Sequence, residues 1–108
     1  MADWRSQDVE ELIAAMLRLD DPDEAANFLR DLCTLGELRD LAQRWAVARR
    51  LDAGEHYAAI SRETGASTAT ITRIASWLNH GEGGYRSALE RLAAAREAGI
   101  PYPAGREG

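Results

Sequence analysis

Gly65-Ala66-Ser67-Thr68-Ala69-Thr70-Ile71-Thr72-Arg73 decides how this chain folds. The nonapeptide reads as a turn between two short helices, predicted over 57–64 and 68–79. Gly65 stands where the turn needs a positive φ, which glycine adopts at little cost. Ser67 stands at the N-cap, where a hydroxyl can accept from an orphan backbone N–H. Ile71, Ile74 and Leu78 recur at i, i+3 and i+7, and Ile60 lies on the helix before them, so an apolar stripe points one way. Ala69, Thr72, Arg73 and Ser76 point roughly the other way. Small side chains allow close approach, hydroxyls bond phosphates or base edges, and arginine bonds guanine or phosphate, so this face suits the floor of a DNA major groove. Ser61 four residues before the glycine and isoleucines six and nine after it complete a helix-turn-helix pattern. The plainer alternative is a helical corner held by the same glycine and isoleucines.

Upstream, Thr34-Leu35-Gly36-Glu37 spells a capping box that opens the longest helix, 35–53, with Gly54 as its stop. Leu38, Leu41, Ala42, Trp45, Ala48 and Leu51 line one face of it, flanked by Arg39, Arg44, Arg49 and Arg50, which are ordinarily solvated. Asp21-Pro22-Asp23-Glu24 combines an N-cap, a proline at the first helical position and a second capping box. It opens a helix to about Cys33 that carries Ala25, Phe28, Leu29 and Leu32. The first helix, from Asp3 or Ser6 to Leu19, carries Val9, Leu12, Ile13, Met16 and Leu17. Downstream, His80-Gly81-Glu82-Gly83-Gly84 is a flexible break. A last helix over 85–98 should bury Leu89 and Leu92, and the tail 100–108, with Pro101, Pro103 and Gly105, should be loose. Six helices with no strand pattern predict one all-α domain over 1–99.

Composition narrows the function. A chain of 108 residues with 45% hydrophobic content supports one globular domain with a modest core. Net charge is −5, which argues against nucleic acid, but the charge is uneven. Residues 1–34 carry nine acids against three arginines, whereas residues 39–80 carry six arginines against four acids. Cys33 is the lone cysteine and reads as a small packed hydrophobe. No apolar run reaches membrane length and the N-terminus is no signal peptide, so a cytoplasmic setting with no membrane partner is expected. There is no phosphate-binding glycine loop, no metal-ligand spacing and no nucleophile–base pair. His56 and His80 stand alone, and the carboxylates near helix starts are explained by capping and the helix dipole. No cofactor, no metal and no enzymatic activity are expected.

The run from Leu32-Cys33-Thr34 through Gln43-Arg44, Gly54-Glu55 and Thr64–Arg73 to Leu78-Asn79-His80-Gly81 and Gly84-Tyr85 resembles the Trp repressor superfamily, closest to its YerC/YecD-like branch. The resemblance covers about residues 10–95. It implies a six-helix, intertwined homodimer that offers two helix-turn-helix heads to double-stranded DNA. By matching positions, Thr68, Ala69 and Thr72 would face bases, and Ala58, Ala59 and Arg62 would lie near the DNA backbone. With Ser67, Arg73 and Ser76 they make the expected DNA-facing set. Arg44, Thr70 and Arg73 match residues around the repressor's tryptophan site. That site keeps a glycine after its second arginine and a small residue three positions later, where this chain has Ile74 and Trp77. Both side chains are expected to fill the slot, so no small-molecule effector is expected. The resulting expectation is a dimeric, sequence-specific DNA-binding transcriptional regulator, a repressor. The alternative from another class is a protein–protein interaction module on the same fold, which the acidic N-terminal third would suit.

Overall fold

Local signals set where the helices start. In the computed structural model, which describes residues 4–99, α1 (Gln7–Met16) begins behind Ser6, whose hydroxyl accepts from the Val9 N–H at 3.2 Å. The alternative start at Asp3 and the tail 100–108 lie outside the described residues. α1 is shorter than its apolar pattern: after Met16 the chain tightens, with Arg18 N–H bonded to Ala15 O and Leu19 N–H to Met16 O. α2 (Pro22–Leu32) starts behind Asp21, which accepts from the Glu24 N–H. α3 (Leu35–Asp52) opens with a reciprocal capping box. The Glu37 N–H donates to Thr34 Oγ1 at 3.0 Å and the Thr34 N–H donates to Glu37 Oε1 at 2.8 Å. α4 (Tyr57–Thr64), α5 (Thr68–His80) and α6 (Gly84–Glu97) follow, and no strand occurs among the described residues.

The chain divides into two compact units between Asp40 and Leu41. In the N-terminal unit, α1 and α2 contain no buried residue. Val9, Ile13, Phe28 and Leu29 are half-buried, while Trp4, Leu12, Met16, Leu17 and Leu32 are exposed. The C-terminal unit has a dry centre made of Val47 and Ala48 from α3, Ile60 from α4, Ala66 from the turn, and Ile71 and Ile74 from α5. Leu78 is buried as well, and Trp45, Leu51 and Tyr85 pack against this centre from the side. Trp45 and Tyr85 stack with ring centroids 6.3 Å apart. Arg86 Nη1 reaches Asp52 Oδ1 at 2.9 Å and ties α6 to α3.

Three expectations need correction. On α3, Leu41 and Ala42 are exposed and Val47 is fully buried, so the inward arc is rotated from the face read in the sequence. Arg44 and the other arginines flank both arcs, and periodicity alone does not choose between them. On α6, Leu89 and Leu92 are only half-buried, because that helix covers the edge of the core. The break after α5 begins at Gly81, since His80 is still helical. A Cβ at Gly81 would stand 2.5 Å from the Trp77 carbonyl oxygen, so close approach requires glycine there.

Candidate nucleic-acid interface

The geometry of α4, the turn and α5 follows from three local devices. Gly65 ends α4 in the left-handed region, with φ +78°, and its N–H bonds to Ser61 O at 2.8 Å. Thr64 Oγ1 donates to Ile60 O at 2.7 Å and accepts the Ala66 N–H at 3.1 Å, which closes the turn from inside. Ser67 then caps α5: its hydroxyl accepts the Thr70 N–H and donates to Thr70 Oγ1, each at 3.1 Å. Burial of Ile60, Ala66, Ile71 and Ile74 clamps the two helices from behind.

The opposite side is open. Ser67, Thr68, Ala69, Thr72, Arg73 and Ser76 are all exposed along α5, as are Ala58 and Arg62 on α4. Ala59 is half-buried. Arg44, Arg62 and Arg73 form no salt bridge among the described residues. The face therefore presents hydroxyls, small side chains and two guanidinium groups around the N-terminal turn of a 13-residue helix. Such a terminus favours anions through its dipole and its first N–H groups. Thr70 is half-buried and already bonded to Ser67, which places it in the cap.

The expected effector slot looks different from the sequence reading. Ile74 is 1% exposed and belongs to the core, as expected. Trp77 is 43% exposed and stands outside the buried core. It borders an open groove of about 600 Å³ lined also by Trp45, Gly81, Glu82, Gly84, Tyr85 and Ala88. Trp77 follows Ile74 by three positions, but the added 300° of helical turn carries it past the buried arc. Burial pushes the Tyr85 phenol above its ordinary value, and the Arg44 charge pulls it the other way. One polar residue of the C-terminal unit was legible in the sequence only as part of a resemblance. Gln43 Nε2 donates to Thr64 O at 3.1 Å and joins α3 to the turn. The available signal was its position four residues before Val47, on the arc that proves to face inward.

Residues 7–93 match the family described as Trp repressor protein. The chain belongs to the Trp repressor family. It is 46% identical over 88 residues to the uncharacterised YerC protein of Bacillus subtilis (strain 168), covering 82% of this chain and 85% of that one. The crystal structure of a TrpR-like protein from Eubacterium eligens ATCC 27750 matches with a TM-score of 0.78 and 46% identity, over 82% of this chain and 92% of that one. A solved structure from Staphylococcus aureus matches with a TM-score of 0.77 and 40% identity, over 82% and 89% of the two chains. The all-α Trp-repressor-like fold that the resemblance implies is thus the observed one. DNA binding and transcription regulation fit this family, which is not an enzyme family. No helix among the described residues is long and apolar enough to cross a membrane. No group of three or more His, Cys, Asp or Glu among them could hold a metal ion.

Proposed function

We propose that this Trp repressor family member is a cytoplasmic, dimeric transcriptional regulator that lays α5 in the major groove of double-stranded DNA. The observation that carries the reading is the two-sidedness of α5. Ile71 and Ile74 are buried to 1% exposure or less, while Thr68, Ala69, Thr72, Arg73 and Ser76 on the same helix stay exposed beside a capped N-terminus. Thr68, Ala69 and Thr72 read base edges; Ala58 and Ala59 allow the backbone close, and Arg62 and Arg73 hold phosphates or guanine. Support for a dimer comes from α1 and α2, which hold no fully buried residue and leave Leu12, Met16, Leu17 and Leu32 exposed although their apolar stripes are complete. A twofold dimer would read a near-palindrome with half-sites about 34 Å apart.

DNA binding needs no L-tryptophan in this reading. Ile74 occupies core volume that a bicyclic ring would have to displace, and displacing a buried isoleucine costs ~1.5–3 kcal/mol. The test is selection of bound genomic fragments, then affinity measurements on the selected site and on scrambled DNA at two salt concentrations. Thr72→Ala should change discrimination between sequences by ~1–3 kcal/mol, and Arg62→Ala should weaken all sequences alike and flatten the salt dependence. Millimolar L-tryptophan should leave each affinity unchanged. Equal losses for both variants on every sequence would refute the assignment of α5 as the reading helix. Absence of any selected DNA would favour the protein–protein interaction module.

A further inference from the structure

We infer that Gln43 is a positioning residue that sets the orientation of the DNA-reading head on α3. The inference rests on the proposed DNA-binding function for its consequence, but its geometric basis is independent of it. The last carbonyls of a helix lack intrahelical donors. Thr64 O is one of these at the end of α4, and Gln43 Nε2 meets it at 3.1 Å across 21 residues of sequence. Thr64 is also the centre of the turn, since its hydroxyl bonds both Ile60 O and the Ala66 N–H. Gly65 follows at φ +78°, and its missing Cβ would sit 3.9 Å from the same Gln43 nitrogen. One amide on α3 therefore touches the point from which the direction of α5 is set.

The apolar seam behind the head cannot do this alone. Contacts among Val47, Ile60, Ile71 and Ile74 are strong but non-directional, and small rotations of the head preserve most of their area. A hydrogen bond to a carbonyl weakens steeply as its angle departs from linear. Apolar burial holds the head on, and Gln43 fixes its angle. Exposed Thr68, Ala69 and Thr72 need that angle to meet base edges.

The experiment uses the full chain with Gln43→Ala and Gln43→Glu. Amide chemical shifts are followed in ¹⁵N spectra, alongside affinity for the selected DNA and thermal melting. Gln43→Ala should displace the Gly65 and Ala66 amide signals and weaken specific DNA binding roughly tenfold, the order expected for one part-buried neutral hydrogen bond, at temperatures where the variant remains fully folded. In Gln43→Glu an ionised carboxylate would face the Thr64 carbonyl and repel it. Its protonated form would donate as glutamine does, so the Gly65 and Ala66 shifts should return toward wild type as pH falls through the introduced group's titration. A merely structural role would lower the melting temperature of both variants yet leave the affinity of the folded protein and the pH response unmoved, and that result overturns the inference. If wild type binds no DNA but the turn responds to Gln43→Glu with pH, the positioning role stands and the nucleic-acid reading falls. Wild-type turn shifts in both variants would refute the positioning role whatever happens with DNA.

Discussion

The two halves of this chain handle the same kind of apolar pattern in opposite ways. Around α4 and α5, isoleucines at helical spacing are fully buried against Val47, Ala48 and Ala66. In α1 and α2 an equally regular pattern leaves Leu12, Met16, Leu17 and Leu32 exposed. Amphipathicity specifies a face; a buried core also requires something to cover that face. The helix-turn-helix brings its own cover, from α3 and the turn. The N-terminal helices are only partly covered among the described residues, and the proposed dimer would supply the rest. The charge follows the same division: the acids concentrate in residues 1–34, and residues 39–80 are mildly basic.

The sharpest way to break this contrast is a pair of truncations. Ile71→Ala in the fully buried seam should cost ~2–5 kcal/mol in urea unfolding. Leu17→Ala, at a side chain 79% exposed within one chain, should stay within ~0.5 kcal/mol when dilution holds the protein monomeric. Similar losses at the two sites would mean that the halves are equally packed in solution. A charge on the uncovered stripe tests the proposed partner copy. Wild type should sediment at about twice 11.9 kDa at micromolar concentration, and Leu12→Asp should raise the dimer dissociation constant by about 30-fold, corresponding to loss of ~2 kcal/mol of burial. A wild-type monomer would leave the apolar N-terminal stripe without its proposed cover.

Within the helix-turn-helix, Gly65→Val separates strain from crowding. Among the described residues only Gln43 Nε2 approaches the would-be Cβ, at 3.9 Å, so the expected loss of more than ~1 kcal/mol comes from the φ of +78°. Wild-type melting of that variant would mean that the turn is not left-handed. The smallest effect concerns the packed edge at α6. Burial raises the Tyr85 phenol above its unfolded value of 10.0. A raised folded value means that the contribution is intact below the unfolded value and is lost as pH rises through the folded one. Melting temperatures should therefore fall above pH 10, and Tyr85→Phe, which cannot ionise, should fall less steeply. Parallel curves would place Tyr85 in solvent rather than against Trp45.

Much of the fold was legible because its signals are local. The capping box at Thr34 and Glu37, the N-caps at Ser6, Asp21 and Ser67, and the left-handed stop at Gly65 each involve residues within one turn of each other. The bounds of α4 match the expected 57–64, and α5 differs from its expectation only by including His80. The exposed face of Thr68, Ala69, Thr72 and Arg73 was readable for the same reason, being the complement of a stripe on a single helix.

Other properties depended on which elements meet. The sequence by itself determined the six helices, the turn between α4 and α5, and which side of α5 is polar. Only the tertiary structure decided that Val47 rather than Leu41 faces inward, that Trp77 borders a groove instead of filling one, and that Gln43 reaches the Thr64 carbonyl. Caps and turns are settled by hydrogen bonds between near neighbours, which propensity and spacing already encode. Burial and long-range hydrogen bonds belong to pairs of surfaces, and a helix with two passable apolar arcs turns toward the core whichever arc its neighbours cover.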